Sequence, residues 1–319
     1  MEDSQIKQIC LAYNLGEIIS PLKPVTGGLL HKMWHLETNK GSYALKLLNP
    51  EIMRRPEAFG NYTNSEKIAK EARAAGIPAI VALAVSNQVV FKVNDKFIMI
   101  YPWVEGSAVT DKEITPTQAR IVGSLLARIH QLNLSLGKSK TQKTNSVKKE
   151  YKRLDKEDID FVEELITKIE QLRTELDLLE LNLVVSHRDL DKKNVLWKDE
   201  NSPVIIDWES AGYVNPGVEL MIAGQDWADL KQAHGDLDLF KTVVQSYKES
   251  GGKLSASPEV IFYRSSEIAL YWLEYNLRRS YEEQFGEEER QIGQEEVVKT
   301  ISGLRVLNSR KDEIIESFR

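Results

Sequence analysis

A short stretch near the middle of the chain combines the residue types that a phosphoryl transfer requires. Residues 186–194 read Ser-His-Arg-Asp-Leu-Asp-Lys-Lys-Asn, so the carboxylate of Asp189 and the amide of Asn194 stand five positions apart. Such a transfer needs a carboxylate that orients an acceptor hydroxyl and takes its proton, and an amide oxygen that holds a metal on the phosphate chain. Asp189 suits the first role and Asn194 the second, and one loop can carry both.

A second carboxylate follows at the end of an apolar run. Residues 204–206 are Val, Ile and Ile, which is the composition of a buried strand, and Asp207 comes directly after them. Asp207 lies thirteen positions beyond Asn194, so two loops can converge on one ion. Because carboxylate and amide oxygens are ligands that Mg²⁺ takes in proteins, we predict a magnesium site formed by Asn194 and Asp207.

The spacing of these residues also matches a known catalytic-loop pattern. Residues 187–194 meet all five fixed positions of the kinase pattern H-R-D-L-x-x-x-N, which chance would produce in about one in ten thousand chains of this length. In that pattern a lysine on an upstream strand pairs with the α and β phosphates. Lys46 ends the alternating run 43–46. The helical segment that follows offers Glu66 as the ion-pair partner of this lysine, with Glu71 on the same helix as the alternative.

A glycine turn precedes these strands. Thr26, Gly27 and Gly28 stand where a loop that covers phosphates would lie, although two adjacent glycines are also typical of a plain hairpin. The full G-x-G-x-x-G pattern is missing. We therefore predict that Gly27 and Gly28 bind the nucleotide, on the basis of their position along the chain.

The first hundred residues predict a small sheet that carries one helix. Runs of β-branched and aromatic residues separated by turn residues indicate strands, and a segment rich in helix formers ends at the Gly-Ile-Pro sequence of residues 76–78. The expected elements are a leading helix at 3–13, strands at 18–25, 33–36 and 43–48, a helix at 65–75 and a hairpin at 89–101.

Beyond Pro102 the pattern becomes mainly helical. Apolar residues at helical spacing mark two buried helix faces, at 122–132 and 162–179, and the chain after Glu219 is typical of helices. We therefore predict an α+β fold with two lobes, a small and mainly antiparallel β lobe at 1–103 and a larger, mostly helical lobe at 104–319. Short strands are expected in the larger lobe at 183–185, 195–197 and 204–206.

These motifs together resemble the protein-kinase-like fold and, within it, the aminoglycoside phosphotransferase and choline kinase family. Residues 207–209, Asp-Trp-Glu, replace the D-F-G of protein kinases, no A-P-E follows, and the chain leaves no room for an activation segment. Residues 123–130 resemble the L-A-x-L-H helix of the family, and residues 99–106 resemble its interlobe linker. Arg188 departs from the family, which more often has a small or amide residue there, and the sequence assigns it no role.

The resemblance implies a small-molecule kinase that transfers the γ-phosphate of ATP or GTP to a hydroxyl of a small, cationic acceptor, with Mg²⁺ as cofactor. Asp189 would be the catalytic base. The small lobe would bind the nucleotide, and the linker backbone would bind the purine edge, as it does in relatives. The residues implied to contact or support the nucleotide are Lys46, Glu66, Gly27, Gly28, Tyr101 and Trp103.

The resemblance also implies where the acceptor binds. In relatives it lies in a cleft of the larger lobe, lined by helices that follow the second metal carboxylate, and the cleft is acidic where the acceptor is a polycation. Positions 267, 271 and 274 are three and four apart, so they share one helix face. The candidates to meet an ammonium group, each of which could equally face solvent, are Asp226, Asp229, Glu267, Tyr271 and Glu274.

Two other functions fit the same motifs less well. A protein kinase shares the catalytic loop but needs the substrate-docking segment that this chain lacks. A catalytically silent, kinase-like nucleotide-binding protein usually loses the lysine, the catalytic aspartate or the metal carboxylate, and this chain keeps Lys46, Asp189 and Asp207. Antibiotic resistance is one physiological role among several that the family fills.

The composition of the chain limits the classes of molecule that we expect it to bind. The 42 Lys and Arg residues against 48 Asp and Glu give a formal charge of -6, so a nucleic acid is not the expected partner. A single cysteine, Cys10, excludes an intramolecular disulfide. The apolar stretch 77–85 is far shorter than the roughly 20 residues of a membrane helix, and the polar N-terminus is not a signal peptide. We expect a cytoplasmic monomer or weak homodimer that has no membrane contact, with the basic segment 138–153 as a solvated loop.

Overall fold

The computed structural model describes residues 1–25, 31–109, 114–134, 136 and 149–319. Within these ranges the chain forms two compact units. The first consists of Met1–Val109 and Lys193–Gly212, and the second of Thr110–Lys192 and Tyr213–Arg319. The functional division into lobes at residue 103 stays a prediction.

Antiparallel strands dominate the first unit and helices the second, which confirms the predicted α+β class. Among the described residues no helix combines the length and the apolar character that a membrane span requires. In chain order the helices and strands are α1 (Asp3–Ala12), β1 (Lys23–Val25), β2 (Lys32–Thr38), β3 (Gly41–Leu47), α2 (Pro50–Met53), α3 (Ala58–Ala74), β4 (Phe91–Val93), β5 (Lys96–Pro102), α4 (Pro116–His130), α5 (Lys156–Gln171), α6 (Arg173–Leu178), β6 (Val184–Ser186), β7 (Val195–Trp197), β8 (Pro203–Ile205), β9 (Gly212–Val214), α7 (Pro216–Trp227), α8 (Leu237–Glu249), α9 (Pro258–Tyr281), α10 (Glu287–Ser309) and α11 (Lys311–Phe318).

A five-stranded antiparallel sheet in the order β1-β2-β3-β5-β4 forms the centre of the first unit. Tight turns join β2 to β3 and β4 to β5. The turn between β4 and β5 contains Asn94 with a φ of 54°, a left-handed backbone conformation that asparagine tolerates. The turn between β2 and β3 ends at Gly41, whose φ of 146° suits glycine best.

The two faces of β3 have different surroundings: one packs into a hydrophobic core, and the other carries Lys46. Leu45 is buried together with Ile9 of α1 and Ile98 of β5. Successive side chains of a strand point to opposite faces, so Lys46 lies on the other face, opposite Met99 of β5. Met99 is buried in a second cluster with Tyr62 of α3, which places Lys46 on the side of the sheet that α3 covers.

A second small antiparallel pair, β7 with β8, belongs to the same unit. The N–H of Ile205 donates to the carbonyl of Pro78 at 2.7 Å, and the carbonyl of Ile205 accepts from the N–H of Ile80 at 2.9 Å. Trp197 exchanges two further backbone hydrogen bonds with Ser107, at 2.9 and 3.1 Å. The residues that follow β8 therefore extend from a strand that is fixed on two sides.

The second unit is built from helices whose apolar faces pack on one another. α4 begins with a capping box formed by Thr115 and Gln118, and it packs along α8. Gly123 makes the close approach of these two helices possible. A Cβ added at Gly123 would lie 2.2 Å from the carbonyl oxygen of Val243, so any larger residue must push α8 away.

Gly123→Ala is expected to destabilise the protein by about 1–3 kcal/mol, because the extra methyl group overpacks the interface between α4 and α8. Gly60→Ala on α3 is the matched control, since a Cβ there meets nothing within 4 Å. Alanine at Gly60 should be neutral or stabilising by up to about 1 kcal/mol. Urea unfolding followed by circular dichroism measures both effects, and equal midpoints for the two variants would contradict the packing argument.

Candidate active site

Lys46 lies buried between two carboxylates of the first unit. Its ammonium nitrogen is 2.8 Å from Oδ1 of Asp207 and 2.8 Å from Oε2 of Glu209, and only 6% of the side chain is exposed. Burial alone would lower the pKa of Lys46, but the two carboxylates raise that pKa well above its ordinary value. Lys46 is therefore a permanent positive charge on the face of the sheet that α3 covers.

Glu209 is held in place by a histidine as well as by Lys46. Nε2 of His31 lies 3.2 Å from Oε2 of Glu209, and Nδ1 of His31 accepts a hydrogen bond from the amide of Asn49 at 3.0 Å. An accepting Nδ1 requires a ring proton on Nε2, and that proton faces both Oε2 of Glu209 and the hydroxyl of Tyr62, whose oxygen lies 3.1 Å from Nε2. Burial alone would raise the pKa of Glu209, but the His31 hydrogen bond and the charge of Lys46 lower that pKa to about 2.

Glu66, the predicted ion-pair partner of Lys46, does not pair with it in the described part of the chain. Oε2 of Glu66 accepts the amide of Ala82 at 2.7 Å and Oε1 accepts the hydroxyl of Tyr101 at 2.8 Å. Both oxygens are thus committed elsewhere, and burial raises the pKa of this carboxyl. The alternative partner, Glu71, pairs across its own helix with Lys67 at 3.9 Å.

The linker residues have contacts of their own. The hydroxyl of Tyr101 is the group that binds Glu66, and the amide of Trp103 donates to the carbonyl of Ser42 at 2.9 Å. The indole ring of Trp103 packs against the imidazole of His35, with ring centroids 4.0 Å apart. The predicted phosphate-loop residues Gly27 and Gly28 lie outside the described residues.

The two predicted metal ligands lie on neighbouring backbone segments of the first unit. The amide of Ile206 donates to the carbonyl of Asn194 at 2.9 Å, so Asp207, the next residue, starts beside Asn194. Asp207 takes a left-handed backbone conformation with φ 57° and ψ 61°. Asn194 is buried, whereas 37% of the Asp207 side chain is exposed. Asn194 is therefore shielded from solvent, whereas solvent can reach the carboxylate of Asp207.

This donor set fits a magnesium ion that is shared with a phosphate chain. Asp207 offers a carboxylate and Asn194 an amide oxygen, both hard ligands. In the residues that the structure describes, no group of three or more His, Cys, Asp or Glu is arranged to hold a metal by itself. Mg²⁺ typically takes only one or two carboxylates and completes its shell with phosphate oxygens and water.

In the second unit, two side chains of helix α7, Glu219 and the indole of Trp227, bind the backbone of residues 188 and 190. The amide of Arg188 donates to Oε1 of Glu219 at 2.6 Å, and the indole N–H of Trp227 donates to the carbonyl of Leu190 at 3.0 Å. Arg188 takes a left-handed backbone conformation with a φ of 67°. Asp189 lies between these two anchored residues, so its backbone is fixed on both sides. His187 is fully buried.

Glu219 is itself part of a buried network. Its Oε2 lies 2.8 Å from Nε2 of His130 on α4, and Nδ1 of His130 lies 2.9 Å from the hydroxyl of Tyr247 on α8. Burial alone would raise the pKa of Glu219, but its hydrogen bond to His130 and the attraction between them lower that pKa. Three helices thereby support the carboxylate that binds the amide of Arg188.

Two of the predicted acceptor carboxylates carry lysine partners. Asp226 accepts from the ammonium of Lys231 at 2.6 Å, and Asp229 accepts from Lys192 of the catalytic loop. The side chain of Lys231 is 43% exposed, whereas that of Lys192 is 16% exposed. Asp226 is thus the carboxylate whose partner can more readily exchange with solvent.

The other predicted acceptor residues lie on α9 and face inward. Glu267 is 1% exposed and binds Arg173 at 2.8 Å and Arg264 at 2.5 Å, and it also accepts the hydroxyl of Tyr271 at 3.2 Å. Glu274 is 8% exposed. The three residues share one helix face as predicted. Glu267 and Glu274 are buried there and Tyr271 is half-buried, and Glu267 already pairs with two arginines.

Sequence reasoning missed three polar residues that support the site, namely His31, Glu209 and Glu219. Glu209 belongs to the Asp-Trp-Glu tripeptide, so its carboxylate two positions beyond Asp207 was a visible signal. Glu219 follows the Asn-Pro helix start at residues 215 and 216, but nothing in its local sequence indicates burial. His31 gave no signal, because its partners come from distant segments.

The fold and the polar sites define the class of this protein. The five-stranded sheet with a buried lysine on its third strand, together with the helical second unit, is the architecture of the protein-kinase-like fold. A model of the phosphotransferase enzyme family matches residues 21–244. The chain belongs to that family, which confirms the resemblance found in the sequence.

Solved structures share this fold at low sequence identity. A structure of amicoumacin kinase in complex with AMP-PNP, Ca²⁺ and Ami is 12% identical with a TM-score of 0.68, covering 94% of this chain and 93% of the other. Spectinomycin phosphotransferase in complex with ADP and spectinomycin is 15% identical with a TM-score of 0.63, covering 95% and 98%. Choline kinase from Cryptosporidium parvum is 13% identical with a TM-score of 0.61, covering 97% of each chain. No curated protein matches the sequence.

Proposed function

We propose that this protein transfers the γ-phosphoryl group of ATP or GTP to a hydroxyl of a small molecule. The observation that carries the proposal is the buried Lys46, whose ammonium nitrogen lies 2.8 Å from Oδ1 of Asp207, two residues beyond the end of β8. A phosphate-binding cation beside a metal-binding carboxylate is what a nucleotide triphosphate with Mg²⁺ requires. The AMP-PNP and ADP named in two structures of the same fold support a nucleotide as donor.

Each polar residue has a role in this reaction. Lys46 binds the α and β phosphates, and Asn194 and Asp207 hold Mg²⁺, which when bound neutralises charge on the phosphate chain. Asp189 accepts the proton of the acceptor hydroxyl and orients that hydroxyl for attack on the γ-phosphorus. The chain forms no covalent intermediate, so its contribution is positioning and charge stabilisation.

The acceptor is proposed to be a small cation. Spectinomycin and choline, named for structures of the same fold, carry positive charge and hydroxyl groups. In this chain Asp226 is the carboxylate best suited to meet an ammonium group, because its ion pair with the half-exposed Lys231 contributes little stability and can be exchanged. Asp229 and Glu274 remain proposed contacts, whereas Glu267 is better explained as a structural residue.

The proposal is tested by coupled detection of ADP or GDP release across amino-sugars, macrolides, choline, thiamine and homoserine. We expect release to require a hydroxyl acceptor and Mg²⁺, and to stop when a chelator removes the metal. A peptide panel in the same assay tests the protein-kinase alternative, and nucleotide binding without turnover on any acceptor would favour the silent binding protein. Release that persists at full rate without divalent metal would contradict the proposed site.

A further inference from the structure

We propose that Glu209, rather than Glu66, is the residue that positions Lys46 for the phosphates of the nucleotide. This inference rests on the proposed function, because it concerns the same lysine and the same ligand. It assigns to the third residue of the Asp-Trp-Glu tripeptide a role that sequence reasoning gave to the helix α3.

The hydrogen bonds of the two acids differ in kind. Oε2 of Glu209 lies 2.8 Å from the ammonium of Lys46, whereas both oxygens of Glu66 are taken by Ala82 and Tyr101. Glu66 therefore ties α3 to the loop after it and to β5, which is a structural task. A side chain with both oxygens engaged can turn to Lys46 only by breaking two buried hydrogen bonds, which is unfavourable.

Glu209 is supported so that its direction is fixed. Nε2 of His31 lies 3.2 Å from the same oxygen and 3.1 Å from the hydroxyl of Tyr62, and the amide of Asn49 donates to Nδ1, so the ring is held from both nitrogens. The short 3₁₀ turn that carries Glu209, Trp208–Ser210, packs on α3, and Trp208 is buried with its indole N–H 3.3 Å from the carbonyl of Ile205. The carboxylate is thus presented to Lys46 from a rigid support.

The arrangement leaves the lysine ready for a ligand. An ammonium group has three N–H donors, and the bonds to Asp207 and Glu209 use two of them. The third is then directed by the first two and can meet a phosphate oxygen. Without Glu209, Lys46 would be tethered by Asp207 alone, the residue that is also needed as a metal ligand.

The experiment compares Glu209→Gln with Glu66→Gln, two substitutions that remove the same charge and keep the same size. For Glu209→Gln we expect the nucleotide KM, and the nucleotide Kd from calorimetry, to rise about ten- to hundredfold at saturating Mg²⁺, since a charged hydrogen bond to the phosphate-binding group is lost. The acceptor KM should stay within about threefold. For Glu66→Gln we expect a lower melting temperature with a nucleotide KM within about threefold of wild type.

His31→Phe provides an independent arm that leaves Lys46, Asp207 and Glu209 intact. It removes the donor to Glu209 and should raise the nucleotide KM in the same direction by a smaller factor. If Glu209→Gln fails to fold, the nucleotide KM of His31→Phe tests the inference instead. The conservative Glu209→Asp should recover part of the nucleotide affinity that Glu209→Gln loses.

Four outcomes would overturn the inference. The first is a large rise in nucleotide KM for Glu66→Gln with little change for Glu209→Gln. The second is a change in the Mg²⁺ concentration for half-maximal rate with an unchanged nucleotide KM at saturating Mg²⁺, which would make Glu209 a metal ligand. The third is a wild-type protein that binds no nucleotide, which overturns the proposed function as well. An active wild type with an unaffected Glu209→Gln variant overturns this inference alone.

Discussion

Asp189→Asn is expected to lower kcat by about 10²–10⁴-fold while the nucleotide Kd changes by less than about threefold. Asparagine keeps the size of the side chain and can still accept a hydrogen bond, but it cannot take a proton from the acceptor hydroxyl at neutral pH. Glu219 and Trp227 bind the backbone on either side of Asp189, and the substitution changes neither hydrogen bond, so we expect the loop to keep its conformation. Single-turnover transfer and calorimetry measure the two quantities separately.

Asp177→Asn is the matched control for this experiment. It makes the same chemical change at an exposed position of α6, ten positions before the motif at residues 187–194, and turnover should be unchanged. Asp189→Ala should behave like Asp189→Asn, because both lack the base. Near-normal turnover in either Asp189 variant would show that this carboxylate is not the base.

The parts of the site that could be predicted are those fixed by local sequence. The motif at residues 187–194 sets its own spacing, since its residues lie within one short loop. The position of Asp207 at a strand end followed from three apolar residues before it. The alternation of β3 likewise put Lys46 on the face opposite Leu45, which is what the sheet has.

The partner of Lys46 could not be predicted in the same way. The helical pattern put Glu66 and Glu71 on one helix, but it carries no information on which groups take their oxygens. Glu209 lies 163 positions from Lys46, and its pairing depends on how the 3₁₀ turn Trp208–Ser210 packs on α3 in the folded unit. Pairings of this range are decided by tertiary packing, which single-sequence patterns do not encode.

The predicted acceptor residues on α9 show the same limit of prediction from sequence patterns. Spacing of three and four correctly puts residues 267, 271 and 274 on one face of α9, because helical geometry is local. Whether that face meets solvent or protein depends on the partners of α9. Arg173, which binds Glu267, comes from 94 positions earlier in the chain. Glu267, which the pattern offers as a ligand for an acceptor, already contacts Arg173 and Arg264 in the structure.

Glu267→Ala is accordingly expected to destabilise the protein by about 1–3 kcal/mol. The substitution removes the buried carboxylate that Arg173 and Arg264 both contact, while Arg173 keeps its pair with Glu170 and Arg264 keeps its pair with Glu180. The loss of a buried, charged hydrogen-bond partner costs more than the loss of a surface ion pair. Urea unfolding gives the free-energy change. Glu259→Ala, an exposed acid in the first turn of α9, is the control and should cost at most about 1 kcal/mol through the helix dipole.

The same variant separates two explanations of Glu267. If the carboxylate held a cationic acceptor, alanine would raise the acceptor KM while the unfolding midpoint stayed near that of wild type. If it holds the two arginines, the midpoint falls, and a double-mutant cycle of Glu267→Ala with Arg173→Ala gives a coupling of about 0.5–3 kcal/mol, because the two side chains share one interaction. An unfolding midpoint like that of wild type, together with zero coupling energy, would support Glu267 as an acceptor-binding residue. A lowered midpoint with clear coupling leaves Asp226, whose lysine partner is half exposed, as the carboxylate to test for acceptor binding.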